Sequence, residues 1–241
     1  MKPAPLLVLV MACGGSSAPP PKTEPVISAK STTRVPVEDD ESEEGVTIVN
    51  ARGHMDPKVV EVGMAPHTQA LTECYTTQLK KRRWLGGRVV LHWDIKKDGT
   101  VTAVRLAESD LGAWPIEKCL LDVARLAEFG PPINGDADFQ IPLEFTAKGR
   151  LISWDDDQAT RAVGGQLVKL DACATKKVPA PSDVTVTLYV GPGGKAQSVG
   201  FAGKTVIDDA WAECAAKAAL ALRLPDPKGQ IAKLAVKYRT E

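Results

Sequence analysis

Aromatic residues are scarce in this chain, at 5% of 241 positions. Any core must therefore be built mainly from aliphatic side chains. An excess of either charge is also missing, because 30 basic residues balance 30 acidic ones. A chain without net positive charge gives no global electrostatic reason to bind nucleic acid. Beyond the N-terminus, no apolar run reaches the roughly 18 residues that a membrane-spanning helix needs. There is no G-x-S-x-G nucleophile elbow and no H-E-x-x-H helix. No C-x-x-C pair occurs, and His54, His67 and His92 are not spaced as zinc ligands. The glycines and lysine of residues 191–196 lack the first glycine and the Ser/Thr of a phosphate loop, so they read as a hairpin turn. Asp155-Asp156-Asp157 lacks the alternation and glycine of a calcium loop, and reads as a solvated linker or a helix cap. Neither cofactor nor metal is expected.

What is present is a repeat. An offset of 95 positions carries Val89 onto Val184, Gly99 onto Gly194, Val104 onto Val199, Cys119 onto Cys214 and Pro132 onto Pro227, with no gap between. The order of features is shared: strand, glycine turn, strand, cysteine near a helix start, apolar helix, proline. A match at fixed offset signals a duplicated structural unit. Two small copies of one unit point to binding or scaffolding rather than catalysis.

The N-terminus reads as an export signal. Lys2 supplies the charge and residues 6–11 a short apolar core. Ala12-Cys13 followed by Gly14-Gly15-Ser16-Ser17 resembles a bacterial lipobox. That resemblance implies a signal peptide over 1–12, cleavage before Cys13 and acylation of that residue, and several acyl chains give a stable anchor. Gly14 in place of aspartate implies, by bacterial sorting rules, the outer membrane. Residues 13–45 form a tether, with Pro19-Pro20-Pro21 and then Glu38-Asp39-Asp40-Glu41-Ser42-Glu43-Glu44. Its composition cannot support a core.

Four cysteines remain: Cys74, Cys119, Cys173 and Cys214. An even number in an exported chain suggests disulfides. Of the three possible connectivities, the repeat favours Cys74–Cys119 and Cys173–Cys214, one bridge within each copy.

In the first copy, residues 46–147, Val46-Thr47-Ile48-Val49 reads as a short strand. Asp56 then caps a helix with Pro57 at its first position. The helix breaks near Gly63 to Pro66 and runs on to Lys80-Lys81-Arg82-Arg83, basic residues that suit a helix C-terminus. Val89, Leu91, Trp93 and Ile95 alternate as a half-buried strand, with His92 and Asp94 facing solvent. Asp98-Gly99 turns the hairpin into a return strand over 101–106. Pro115 opens a helix bearing Cys119, and residues 139–145 close the copy as a strand. The second copy, 148–241, repeats this with a helix over 166–176, strands at 184–190 and 196–201, a helix capped by Asp208 or Asp209, and a last strand holding Leu234, Val236 and Tyr238. The fold class is α+β: two tandem α-β-β-α-β units, each a three-stranded antiparallel sheet with two helices on one face.

Cys74-Tyr75, Leu85-Gly86-Gly87-Arg88-Val89, Lys97-Asp98-Gly99-Thr100-Val101, Glu117-Lys118-Cys119-Leu120 and Ile141-Pro142-Leu143-Glu144-Phe145 follow one another in an order that resembles the AgmX/PglI C-terminal domain family, related to TonB C-terminal domains. The resemblance implies TonB-like units and an adaptor role in the bacterial cell envelope. The second copy departs from the pattern: Ala174 follows Cys173, and Gly193-Gly194 replaces the Asp-Gly turn.

The expected function is that of a lipid-anchored, non-enzymatic scaffold. It would take an envelope protein by strand addition at an open sheet edge of the first copy. Lys80, Lys81, Arg82 and Arg83 would steer an acidic partner, with Trp84 beside them. The alternatives are a peptidoglycan- or glycan-binding lipoprotein and an unrecognised hydrolase.

Overall fold

The computed structural model describes residues 53–80 and 82–240. Cys13, the tether, the strand expected at residues 46–49 and Lys81 lie outside the described residues.

The chain is α+β with two sheets. The helices are α1 (Pro57–Met64), α2 (Thr68–Leu79), α3 (Trp114–Ala124), α4 (Asp156–Val163) and α5 (Asp209–Leu220). The strands are β1 (Gly87–Ile95), β2 (Val101–Ser109), β3 (Ala137–Phe145), β4 (Ile152–Ser153), β5 (Val184–Gly191), β6 (Lys195–Gly203) and β7 (Ala232–Tyr238). The first sheet has the order β2-β1-β3 and the second β4-β7-β5-β6. The offset of 95 therefore survives in space: β5, β6, α5 and β7 stand where β1, β2, α3 and β3 stand in the first copy.

Local chemistry explains the elements. Asp56 accepts the Lys58 N–H at 2.8 Å and Pro57 occupies the first turn, so α1 starts there. A 3-10 turn at Ala65–His67, holding Pro66, separates α1 from α2. Asp208 caps α5 through the N–H groups of Ala210 and Trp211. Gly99 turns the first hairpin at φ +89°, and Gly193 and Gly194 turn the second at +71° and +69°, a region that a side chain resists. Both cysteine pairs are bridged, Cys74–Cys119 and Cys173–Cys214, with Cα atoms 5.7 and 5.6 Å apart. Each bridge ties the helix preceding a hairpin to the helix following it.

In the first core, Trp93 is fully buried and stacks on Phe139 at 5.0 Å, with Phe129 edge-on. Tyr75 packs on Phe145, and its hydroxyl shares its one proton between the carbonyls of Leu85 and Thr146, each 2.9 Å away. Burial pushes its pKa up to about 12. The second core gathers Phe201, Trp211 and Tyr238.

Several expectations need correction. The second sheet has four strands, because β4 adds parallel to β7. The helix expected over 166–176 is a 3-10 segment, Gln166–Cys173, and α4 precedes it. Asp155 is the N-cap of α4 in a capping box with Gln158, the helix-capping alternative for that acidic run. The basic cluster lies past α2: Lys80 is its C-cap and Arg82 and Arg83 follow in a turn. His92 is buried, not solvent-facing, because Asp94 and Gln140 bond its ring and enclose it.

Candidate functional site: the edges and outer faces of two sheets

Each sheet has an outer face, turned away from its helices, and two edges. In the second sheet the β6 edge and much of the outer face are covered, while Ala235 and Lys237 on β7 are exposed. Thr187 and Tyr189 on β5 and Ser198 on β6 point outward and are buried against the first copy. The Tyr189 hydroxyl donates to Gly86 O at 2.9 Å, and Ser198 Oγ to Gly112 O at 2.7 Å. Lys233 Nζ donates to Gly86 O at 3.0 Å and pairs with Asp110 at 3.2 Å. Trp84 packs on Tyr189 at 4.7 Å, so it belongs to this interface rather than to a free surface. Burial raises the Tyr189 phenol above its ordinary value.

Glu117 is the centre of the same interface. It is fully buried near the start of α3. Ser109 Oγ donates to Oε1 at 2.7 Å, and the Phe201 N–H of edge strand β6 donates to Oε2 at 2.9 Å. Burial pushes the carboxyl up to about 7, against the pull of these donors. Gly200 makes room for it: a Cβ there would lie 2.3 Å from the carboxylate. An ion pair between α3 and α5, Arg125 with Asp209, continues the contact. The edge at β6 is thus capped by α3, while β4 and α4 lie along β7.

The first sheet is different. Its outer face carries a polar network. Gln140 Nε2 donates to His92 Nδ1 at 3.1 Å, so His92 Nε2–H is left to donate to Asp94 Oδ1 at 3.1 Å. Arg105 grips the other Asp94 oxygen. Burial works against the Asp94 charge, but the bonds from His92 and Arg105 hold its carboxyl below the usual value. These neighbours bury His92 to 4% exposure without any covering layer. No nucleophile joins the network, and no metal-holding cluster occurs among the described residues. Arg88, Glu108 and Glu144 on the same sheet are exposed.

β2 lies against β6, but no strand pairs with the outer edge of β3 among the described residues. Arg88 O accepts from Asp110 N at 3.0 Å, so the even residues of β1 direct their backbone toward β2 and the odd ones toward β3. In the unshifted β1–β3 register Val90 faces Pro142, which has no N–H to give. The odd residues of β3 therefore bond β1, and the backbone of Gln140 and Glu144 points out of the sheet. Pro142 sits where an edge strand tolerates it.

The far end of this edge is basic. Lys148 N and Gly149 N, just past β3, both donate to Arg83 O at 2.8 Å. Lys80, Arg83, Lys148 and Arg150 are exposed and Arg82 is half-buried, and no ion pair engages any of them among the described residues. Of the four expected binding residues, Arg83 is bonded to the segment just past β3, with Arg82 next to it in sequence, and Lys80 is the C-cap of α2. The sequence reading missed Glu117, Tyr189 and Lys233, whose partners lie 84, 103 and 147 positions away. Pro142 in an otherwise strand-like run was the one local signal of an edge.

No known protein family, curated protein or solved structure matches this chain.

Proposed function

We propose that the protein is a non-enzymatic interaction module of the bacterial cell envelope, anchored through an acylated Cys13 and built from two TonB-like units. The first unit receives an extended segment of a partner protein on β3. The second is its support. The observation that supports this reading is that no strand pairs with the outer edge of β3 among the described residues, whereas β6 is capped by α3 and β4 pairs with the first two residues of β7. The outward backbone groups of Gln140 and Glu144 supply main-chain affinity, and side-chain contacts supply selectivity. Lys80, Lys81, Arg82 and Arg83 favour a partner with acidic residues beside the docking strand. Steering of this kind weakens with salt, because the Debye length is about 8 Å near 0.15 M.

The experiment uses the full chain with Cys13→Ser, immobilised and exposed to solubilised envelope proteins. Gln140→Pro deletes an outward amide. Gln140→Ala keeps that amide while losing the bond to His92. A specific protein retained by the Ala variant and lost with the Pro variant supports the reading. Identical capture by both contradicts it.

A further inference from the structure

The two bridges hold the same place in the repeat but stand in different surroundings. Cys74 and Cys173 are both buried, at 6% exposure. Their partners differ: Cys119 on α3 is half-buried, whereas Cys214 on α5 is exposed. The backbone inside a helix is shielded by its own turns, so the exposure of Cys214 belongs to its Cβ and Sγ.

The neighbours at the offset of 95 account for the difference. A helical side chain leans over the turn before it, so the residue four positions on covers the cysteine. That residue is Val123 in the first copy and Ala218 in the second. Residues three apart also share a helix face. At that position the charge reverses, from Asp122 beside Cys119 to Lys217 beside Cys214, and Lys217 is exposed. Lys176 and Lys177 follow Cys173 and are exposed too, while the nearby acid Asp171 accepts the hydroxyl of Tyr238. Cations beside a sulfur favour the thiolate form, both of an attacking thiol and of a departing one. The buried partners differ as well: Cys74 belongs to the full helix α2, and Cys173 ends the 3-10 segment.

We propose that Cys173–Cys214 is a site of thiol–disulfide exchange, open to a dithiol protein, with Cys214 as the attacked residue. Cys74–Cys119 is the structural bridge. A thiolate of the incoming dithiol bonds to Cys214 Sγ and breaks the bond to Cys173, whose electron pair leaves on Cys173 Sγ. The second thiolate of the dithiol then bonds to the first, expelling Cys214 as a thiolate. The two protons of the dithiol end on Cys173 and Cys214. The dithiol is oxidised to its disulfide and the bridge is reduced, two electrons passing in all. The cut releases the 3-10 segment Gln166–Cys173 from α5 and spares both the first bridge and the bond of Glu117 to β6. Exchange there addresses the second copy alone.

The full chain with Cys13→Ser, treated with dithiothreitol under native conditions, quenched in acid and alkylated, tests the proposal when each cysteine is read by peptide mass. Cys173 and Cys214 should open roughly tenfold or more faster than Cys74 and Cys119, because exchange follows access. The rate should rise in proportion to dithiothreitol and ignore low urea, as attack on the folded chain requires. In strong denaturant the two bridges should open alike. Lys217→Asp, which restores the charge of the first copy, should slow opening of Cys173–Cys214 by glutathione, an anionic thiol, about threefold at low salt and less at high salt. Glutathione should be trapped on Cys214, with the free thiol at Cys173. Equal native rates for the two bridges would overturn the proposal. So would an opening rate independent of dithiothreitol, or glutathione trapped on Cys173.

Discussion

β1 and β5 are the same strand of the two copies, yet their surroundings differ. On β5, Thr187 and Tyr189 point away from the helices and are buried against the first copy. On β1, His92 and Asp94 point away from the helices into a polar network whose flanks, Arg88 and Glu144, are exposed. The edges divide in the same way. Glu117 caps β6 and β4 adds to β7, whereas β3 is unpaired among the described residues. The two units share the order of three strands and a helix, and packing one against the other leaves them in different surroundings. The second sheet gives much of its outer face to the interface, while the first keeps exposed residues on its outer face and an edge with no paired strand among the described residues.

The largest effects should come from the bridges, which both copies share. Closing loops of 45 and 41 residues, each stabilises the fold by about 4 kcal/mol in the chain-entropy view. Replacing either pair by alanine should lower the denaturation midpoint by a similar amount. A loss confined to one pair would show that the copies do not resemble each other in stability as they do in topology.

The interface comes next. Glu117→Ala strands the Phe201 N–H and the Ser109 hydroxyl in a buried site, at a cost of about 3 kcal/mol. Hydrogen exchange should quicken at Phe201, on β6, more than at Leu91, on β1. Equal quickening at both would mean that the two copies unfold as one unit.

Glu117 also makes stability depend on pH. Its carboxyl is raised in the fold from 4.5 to about 7, so the folded chain holds this proton more tightly than the unfolded chain does. The resulting stabilisation is complete below about pH 4.5 and is lost as pH rises through about 7. At 1.36 kcal/mol per pKa step, its full size is about 3 kcal/mol. Chemical denaturation across that range should show the decline, and Glu117→Gln should flatten it. An unchanged slope in the variant would assign the dependence to other groups.

Smaller effects belong to the outer face of the first sheet and the interface hydroxyl of Tyr189. His92→Ala releases Gln140 and Asp94 on a face that water can reach, so it should cost about 1 kcal/mol. Tyr189→Phe, which strips an interface hydroxyl from Gly86 O, should cost about as much or somewhat more. Thermal melts of the two variants rank the faces. A larger loss for His92→Ala would reverse the assignment of support and display.

Much of the fold was legible because its signals are local. Asp56-Pro57 and Asp208 mark helix starts, Asp98-Gly99 marks a hairpin, and alternation at Val89, Leu91, Trp93 and Ile95 marks a central strand. The repeat carried the cysteine pairing because a duplicated helix pair must be tied in the same place twice. The interface was not legible. Glu117 reads as one more helix acid until Phe201 is brought to it, and Tyr189 as one more strand aromatic. β4 has two residues, too few for any periodicity. His92 misled because strand alternation assigns a side chain to a face and says nothing of how neighbours such as Gln140 and Arg105 enclose it.

The central claim is that the first copy presents and the second supports. A walk of photo-activated crosslinkers in the native envelope tests it most directly, with the probe at Glu144 beside the β3 edge, at Val168 on the 3-10 segment of the second copy, or at Val206 after β6. All three positions are exposed. The account predicts one dominant protein adduct from Glu144, removed by Gln140→Pro, and none shared by Val168 or Val206. The same adduct forming from Val168 or Val206 and not from Glu144 would contradict it.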